Sequence, residues 1–271
     1  TDEIGVSVFG GASGYASGSN LWGYGNSMSN DVTISGNAVV TAGVFGGGTL
    51  SGDAVDNKVT ISGNASAGTQ KPPYGGIYGG GVLAPQTGYG GNALRNKVTV
   101  TGGTINSHVY GGFTKSGGSA SSNYVTVTGG SYNNNRIYGG YVANGSGSAS
   151  NNTVTIGTDN TGISKVYGGY TAESGAASSN DVTIAADVSG TVAGGWTSYG
   201  AAYGNTVTIE KGKIDSVYGG YTETGTVAKN NTVNWNGGGI TGRLYGGSGN
   251  TTSDNTLNMY VFNKNVTNLG G

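Results

Sequence analysis

The chain has 271 residues, 58 of them glycine, with 9% charged residues, a formal net charge of −1 and no cysteine. This charge balance lacks the basic footprint of a nucleic-acid-binding protein, and the absence of cysteine excludes disulfides, thiol nucleophiles and thiolate metal sites. No run of about 18 apolar residues is present, so the sequence predicts no transmembrane helix.

A two-part unit recurs nine times along the chain. The first part, an apolar residue followed by an aromatic or small residue and Gly-Gly, begins at Val8, Val44, Ile77, Val109, Ile137, Val166, Val192, Val217 and Leu244. The second part, Asn-x-Val-Thr-Ile or a close variant, begins at Asn30, Asn57, Asn96, Asn123, Asn152, Asn180, Asn205, Asn231 and Asn255. Self-similarity at a period of roughly 25 to 40 residues predicts a solenoid.

The unit from residue 205 to residue 235 shows how one coil is built. Val207 and Ile209 alternate with threonine, which predicts a short half-buried strand. A second apolar position follows at Ile214, and Val217-Tyr218 makes a third extended piece before Gly-Gly. We therefore expect an all-β parallel β-helix of about nine coils, with three short strands per coil, forming a single domain over residues 1–271.

The asparagine that precedes each Val-Thr-Ile strand is predicted to be structural. Its side-chain amide can bond to the local backbone and to the asparagine one coil away, and asparagine tolerates left-handed backbone geometry. We expect an asparagine ladder through all nine positions. Two opposite-charge pairs in adjacent coils, Asp31 with Lys58 and Asp187 with Lys213, agree with this register.

Aromatic residues form two further columns. Charged residues precede several of the Val-Tyr-Gly-Gly segments, so strand alternation predicts that the valine points inward and the following ring outward. The first column, predicted to be exposed, contains Phe9, Phe45, Tyr78, Tyr110, Tyr138, Tyr167, Tyr218 and Tyr245, and is interrupted at Ala193. The second, three residues further on and of undecided direction, contains Phe113, Tyr141, Tyr170, Trp196 and Tyr221.

These columns have two compatible interpretations. Rings one coil apart can stack and stabilise the face. Alternatively, an aromatic stripe beside His108, Arg136 and Lys165 can serve as a recognition surface for a protein or a glycan. The loops that follow Gly-Gly vary in length, which makes Trp22, Tyr24, Tyr74 and Tyr89 further candidate binding residues.

The sequence offers no constellation for catalysis or metal binding. Asp53 and Asp56 share a loop, while the other acidic residues are spread over different strands, and His108 is the only histidine. We therefore predict no catalytic residues, no metal and no cofactor, with a polysaccharide-active enzyme as a remote alternative. Ice binding is equally remote, because only Thr153/Thr155 and Thr206/Thr208 complete an outward Thr-x-Thr pair.

The segments VYGGY, from Val166 to Tyr170, and NNTVTI, from Asn151 to Ile156, resemble those of bacterial autotransporter passenger domains and large surface adhesins. The resemblance implies a right-handed β-helix and adhesion or aggregation at the bacterial cell surface, attached to the outer membrane or released. It also implies that the chain is a passenger or a fragment of a longer surface protein. We expect a non-enzymatic adhesin that binds a host or bacterial surface protein or glycan, and alternatively a structural stalk or a self-association module.

Overall fold

The computed structural model describes residues 3–13, 15–17, 20–22, 25–68, 75–83, 90–225, 227–260 and 269–270. Their strands are parallel and stack as a β-solenoid of about eight turns, which confirms the predicted fold class. A single antiparallel pair, Tyr15–Ser17 with Asn20–Trp22, departs from this pattern. Within these ranges, no helix is long and apolar enough to cross a membrane.

The Val-Thr-Ile strands stack as one face of the solenoid. They are Asp31–Ile34, Lys58–Ile61, Lys97–Ile105, Tyr124–Val142, Thr153–Thr171, Asp181–Ile184, Thr206–Ile209, Thr232–Trp235 and Thr256–Met259. Short strands at the second apolar position are Glu3–Ile4, Val39–Val40, Ser66–Ala67 and Gly239–Ile240. In the middle coils this position belongs to a longer strand, so that Tyr124–Val142 and Thr153–Thr171 each run through most of a coil.

The aromatic-Gly-Gly strands form the next face. They are Val8–Ser13, Val44–Thr49, Ile77–Val82, Val109–Thr114, Val188–Thr197, Lys213–Thr222, Leu244–Ser248 and Leu269–Gly270, together with the ends of the two long strands. A ladder of two-residue strands, which the sequence pattern did not predict, completes each coil. Its members are Ser27–Met28, Ala54–Val55, Ala93–Leu94, Ala120–Ser121, Ala149–Ser150, Ala177–Ser178, Ala202–Tyr203, Ala228–Lys229 and Thr252–Ser253.

The interior of the solenoid is filled by β-branched residues from three columns. In the strand Thr206–Ile209, Val207 and Ile209 are fully buried while the two threonines are half-buried. Ile214 and Val217 complete the same layer, and their equivalents in the other coils join one continuous core. Because each layer packs only against the layers above and below, burial depends on keeping the coils in register.

The predicted asparagine ladder is present and spans all nine positions. Asn152 shows its bonding: its Nδ2 donates to Asn180 Oδ1 at 2.9 Å and to the carbonyl oxygen of Ala120 at 3.0 Å. Its Oδ1 accepts from the backbone N–H and the Nδ2 of Asn123, both at 3.0 Å. The buried amide therefore makes four hydrogen bonds and leaves no polar atom unsatisfied.

One detail of the asparagine prediction is wrong. The left-handed backbone conformation belongs to the residue before each asparagine, with φ between 54° and 65° at Ser29, Asp56, Arg95, Ser122, Asn151, Ser179, Gly204, Asn230 and Asp254. These residues mark a corner of the coil, and they allow the following asparagine to turn its side chain inward. Several residue types are tolerated there because one left-handed residue costs only about 1–2 kcal/mol.

Each Gly-Gly pair lies against the asparagine ladder. A Cβ atom on the second glycine, Gly140 for example, would lie 2.5 Å from Asn152 Nδ2 and 2.7 Å from the carbonyl oxygen of Ala120. A Cβ on the first, Gly139, would lie 2.5 Å from the carbonyl oxygen of Gly168 in the next coil. The two halves of the sequence repeat are therefore one packing unit, in which glycine makes room for the asparagine amide.

The expected charge pairs are found in part. Lys58 Nζ lies 3.1 Å from Asp31 Oδ2, as predicted. Asp187 Oδ1 instead accepts from the backbone N–H of Lys213 at 2.7 Å. A bidentate pair between Arg95 and Asp56 adds a bridge across 39 residues of sequence, and the hydrogen bonds from Arg95 lower the pKa of that carboxyl.

Substitution of alanine at two glycines tests the packing unit. We expect Gly140→Ala to lower the free energy of unfolding by about 3 kcal/mol, because its Cβ overlaps the asparagine amide. Gly239→Ala is the matched control, since no atom lies within 4 Å of its Cβ position and its φ is not left-handed. It should leave stability unchanged or raise it by up to about 1 kcal/mol. Urea unfolding compares the two, and equal losses would contradict the steric explanation.

Candidate functional site

The first aromatic column forms a stack along the solenoid axis. Ring centroids lie 4.5 Å apart for Phe9–Phe45 and for Phe45–Tyr78, and 4.9 Å apart for Tyr78–Tyr110. The stack continues through Tyr138 to Tyr167, with separations of 5.0 and 5.2 Å. Nearly parallel rings at the strand spacing follow directly from the in-register coils.

The prediction that this column is exposed is wrong. Tyr78 is 0% exposed and Tyr138 2% exposed, and all members except Phe9 belong to a second apolar cluster outside the main core. Its buried members also include Phe45, Tyr110, Tyr167 and Tyr218, whereas Tyr245 is half-buried and Phe9 is 42% exposed. The alternation of side chains along the strand correctly predicted that these rings point away from the valine core. It did not predict which residues cover the rings.

In the coils from Phe113 to Tyr221 the second aromatic column packs over the first, because the strand bends at Gly-Gly, and Leu50 and Leu83 belong to the same cluster. In the pairing of the adjacent strands, Tyr110 lies opposite Tyr138 and Gly112 lies opposite Gly140. The first glycine of each Gly-Gly pair has no paired residue in this ladder. Residues three apart in a straight strand would lie on opposite faces. Here Tyr138 and Tyr141 instead meet edge to face, with centroids 5.0 Å apart and planes at 84°. The bend thus brings both columns to one side.

The second column is the part of the aromatic cluster that reaches solvent. Tyr141 stacks on Tyr170 at 5.1 Å and Trp196 on Tyr221 at 3.9 Å. All four are half-buried, while Phe113 at the start of the column is buried. Stacking covers at least one ring face of each of these residues, and the half-buried rings reach the surface with their edges and polar groups.

Trp196 also contacts both parts of the first column that Ala193 separates. Its ring lies 5.6 Å from that of Tyr167 and 6.1 Å from that of Tyr218, edge to face with both. The larger indole therefore occupies space that a tyrosine fills in neighbouring coils. Trp196 Nε1 donates to Glu223 Oε1 at 3.2 Å, which fixes the ring and places a carboxylate at the edge of the column.

Basic residues border the first column on its other side. Arg136 is exposed and donates to the hydroxyl of Tyr138, and Arg243 bonds in the same way to Tyr218. Lys165 is half-buried and pairs in register with Arg136. Burial is the main cause that raises the pKa of the Tyr138 hydroxyl, with the arginine opposing it, so the phenol is neutral at ordinary pH.

His108 is held among these groups. Its ring lies 6.4 Å from that of Tyr110 and 6.2 Å from that of Tyr138. Its Nδ1 lies 3.2 Å from Asn135 Oδ1 and 3.3 Å from the backbone nitrogen of Arg136. Burial lowers the pKa of His108, as does the charge of Arg136, while the hydrogen bond with Asn135 opposes them. The imidazole is therefore neutral at pH 7.

Four further residues were predicted as candidate binding residues of the loops. Trp22 ends the strand Asn20–Trp22, whose partner strand is Tyr15–Ser17. Tyr24, Tyr74 and Tyr89 lie outside the described residues. Ser198 and Glu223, which sequence reasoning missed, stand two positions after Trp196 and Tyr221, and the only signal for them was this spacing. In the described ranges no three His, Asp or Glu side chains are grouped to hold a metal ion.

Comparison of the chain with family models, with curated proteins and with solved structures gives no match in any of the three.

Burial of the first column predicts that it stabilises the fold. We expect Tyr138→Ala to lower the free energy of unfolding by about 3–5 kcal/mol, because it removes a ring that is stacked on both sides. Tyr199→Ala is the control, since Tyr199 is 61% exposed. Chemical denaturation measures both, and similar small losses would show that the stack contributes little.

The pKa of His108 predicts a pH dependence of stability. The folded state disfavours the protonated imidazole, so the unfolded chain binds the proton first as pH falls through about 6.5. Stability should be greatest above that pH and decrease below it, until the lowered pKa of the folded state is passed. The difference in denaturation midpoint between the natural chain and His108→Gln, measured from pH 8 to pH 5, should show this slope. A constant difference would contradict it.

Proposed function

We propose that the chain is a non-enzymatic interaction domain of a bacterial surface protein, which binds a host or bacterial surface protein or glycan. The binding strip would be the solvent-facing edge of the second aromatic column, Tyr141, Tyr170, Trp196 and Tyr221. The resemblance of the repeat to autotransporter passengers and large adhesins supports the extracellular location and the adhesive role.

The observation that carries this proposal is that the second column is not needed to build a coil. The register places Ala12, Gly48, Gly81 and Ser248 at the equivalent position of other coils, which close with the same strand pairing. Only the five coils from Phe113 to Tyr221 carry a large ring there. The second aromatic column lies at the surface and is confined to part of the repeat array. Binding explains this distribution better than a requirement of the fold does.

The chemistry of the strip suits recognition. Half-buried tyrosine and tryptophan offer large contact area with little loss of side-chain entropy, and both are enriched at interaction hot spots. Glu223 holds the indole of Trp196 by a hydrogen bond, and Tyr170 stacks on Tyr141, so these groups are already ordered. A partner would therefore meet a preorganised row of hydroxyl, indole N–H and carboxylate groups beside aromatic rings.

The second candidate is a structural stalk that displays a binding domain located elsewhere in a longer protein. The buried first column and the fully bonded asparagine ladder favour it, because both rigidify the rod without presenting anything to solvent. Self-association remains a further alternative for the same surface, and light scattering against concentration tests it.

The variant Tyr141→Ser/Tyr170→Ser tests whether the strip binds a ligand. Serine is chosen because Ser248 occupies the equivalent position in another coil, so the fold tolerates it there. Ligands of the natural chain are first identified on a glycan array and among purified cell-surface proteins. We expect the double variant to weaken that binding at least about tenfold. Tyr124→Ser/Tyr203→Ser, at two exposed tyrosines in a Val-Thr-Ile strand and in a two-residue strand, should bind as the natural chain does. Absence of any ligand for the natural chain would favour the stalk, and equal binding by both variants would place the site elsewhere.

A further inference from the structure

Three basic residues stand in one row along the solenoid axis. His108, Arg136 and Lys165 each precede the apolar residue of an aromatic-Gly-Gly strand, and those strands pair in adjacent coils. The equivalent position is Gly76 in the preceding coil, Thr191 and Ser216 in the two following coils, and Arg243 in the coil after those. With parallel strands about 4.8 Å apart, the row extends over roughly 10 Å.

The two permanent charges of this row have no carboxylate partner. Within the described residues the ion pairs are Lys58–Asp31 and Arg95–Asp56, and neither includes Arg136 or Lys165. Arg136 bonds instead to the neutral phenol of Tyr138. The stem of Lys165 lies over Gly190, with its Cγ 3.6 Å from the position of a Cβ on that glycine.

This arrangement is electrostatically unfavourable in the free chain. Like charges directly opposite each other on neighbouring strands destabilise a sheet. Lys58 also stands opposite a lysine, Lys97, but Asp31 neutralises it from the other side. In a chain whose formal net charge is −1, an uncompensated pair of cations in register is a local exception.

We propose that this row binds the acidic groups of an anionic glycan, carboxylated or sulfated, that lies along the solenoid axis. This inference rests on the proposed function, and it names the class of partner. The planar guanidinium of Arg136 suits bidentate bonding to a carboxylate or sulfate, and Lys165 adds a second charge one coil away. The tyrosine hydroxyls of the adjacent cluster can bond to the hydroxyl groups of the sugars.

A nucleic acid fits the same row less well. Proteins that bind single strands combine a long basic groove with aromatic faces on which bases stack. In this cluster the faces of Tyr141 and Tyr170 are covered by each other, with planes only 2° apart. The basic row is also confined to three coils, so it can follow only a short length of any charged backbone.

Binding of defined polymers to the purified chain tests the proposal. The probes are hyaluronan as a carboxylated glycan, heparin as a sulfated one, neutral dextran, and single-stranded DNA. We expect binding to at least one acidic glycan, no binding to dextran, and weaker binding to DNA. Raising the salt concentration should weaken the interaction, because the row is close to solvent. No binding to either acidic glycan, or DNA binding as tight, would overturn the proposal.

Matched charge variants locate the site. Arg136→Gln/Lys165→Gln should weaken glycan binding at least about tenfold. Lys97→Gln/Lys229→Gln removes the same charge from exposed residues on other faces, and it should change binding less than about twofold. Urea unfolding of the first pair verifies that the variant folds, and a loss of binding counts only if the variant is folded under the conditions of the binding assay. Equal losses of binding in both pairs would show a response to net charge alone and would overturn the assignment.

The same variants separate this inference from the proposed function. If the natural chain binds a neutral glycan or a protein through Tyr141 and Tyr170, and Arg136→Gln/Lys165→Gln binds it equally well, the acidic-glycan inference fails and the proposed function stands. If the natural chain binds none of the glycans or surface proteins, the proposed function fails as well.

Discussion

The amide of a buried asparagine occupies the space that a side chain would need at the second glycine of each Gly-Gly pair, as Asn152 does at Gly140. This contact joins two points of the same coil that lie less than half of a turn apart along the chain, and the hydrogen bonds of the amide then join each coil to the next. A buried amide is tolerated only when its polar atoms are bonded, so the coil cannot close with the asparagine misplaced. The apolar core follows from this closure, because it sets the register in which the valines and isoleucines stack.

The aromatic cluster is a second consequence of the same contact. Since Gly-Gly lets the backbone approach the asparagine closely, the strand bends there, and residues on either side of the bend face the same space. Tyr138 and Tyr141 meet for this reason although they are three residues apart. The protein therefore has two apolar cores on opposite sides of one strand. The inner one is mostly aliphatic, with Tyr132 and Trp235 as aromatic members, and is common to the coils, while the outer one is mostly aromatic and changes along the solenoid.

Periodicity in the sequence predicted the stacked strands and their side-chain columns correctly. It predicted the exposure of the first aromatic column wrongly, because that exposure depends on a bend in the strand. The parallel stacking, the column of Val207 and Ile209, and the asparagine ladder follow from alternation and repetition, and they are confirmed. The exposure of Tyr138 was predicted from the same alternation and is wrong, because alternation carries no information about a strand that turns back over its own side chain. The two-residue strands such as Ala149–Ser150 are too short for any period to be recognised. The bond between Trp196 and Glu223 depends on side-chain positions that only the folded coils define.

The asparagine ladder also has a direction. The bonds between asparagines all run from Nδ2 to the Oδ1 of the next coil towards the carboxyl terminus, from Asn30 to Asn57 and onward to Asn255, so the side-chain amides share one orientation. Neighbouring β-strands contribute little net dipole, whereas aligned amides add to one another and polarise one another. A row of similarly oriented amide dipoles thus runs through a solenoid whose formal net charge is only −1. Hydrogen bonds in such a chain polarise one another, so each amide in the middle of the ladder is coupled to the amides of both neighbouring coils.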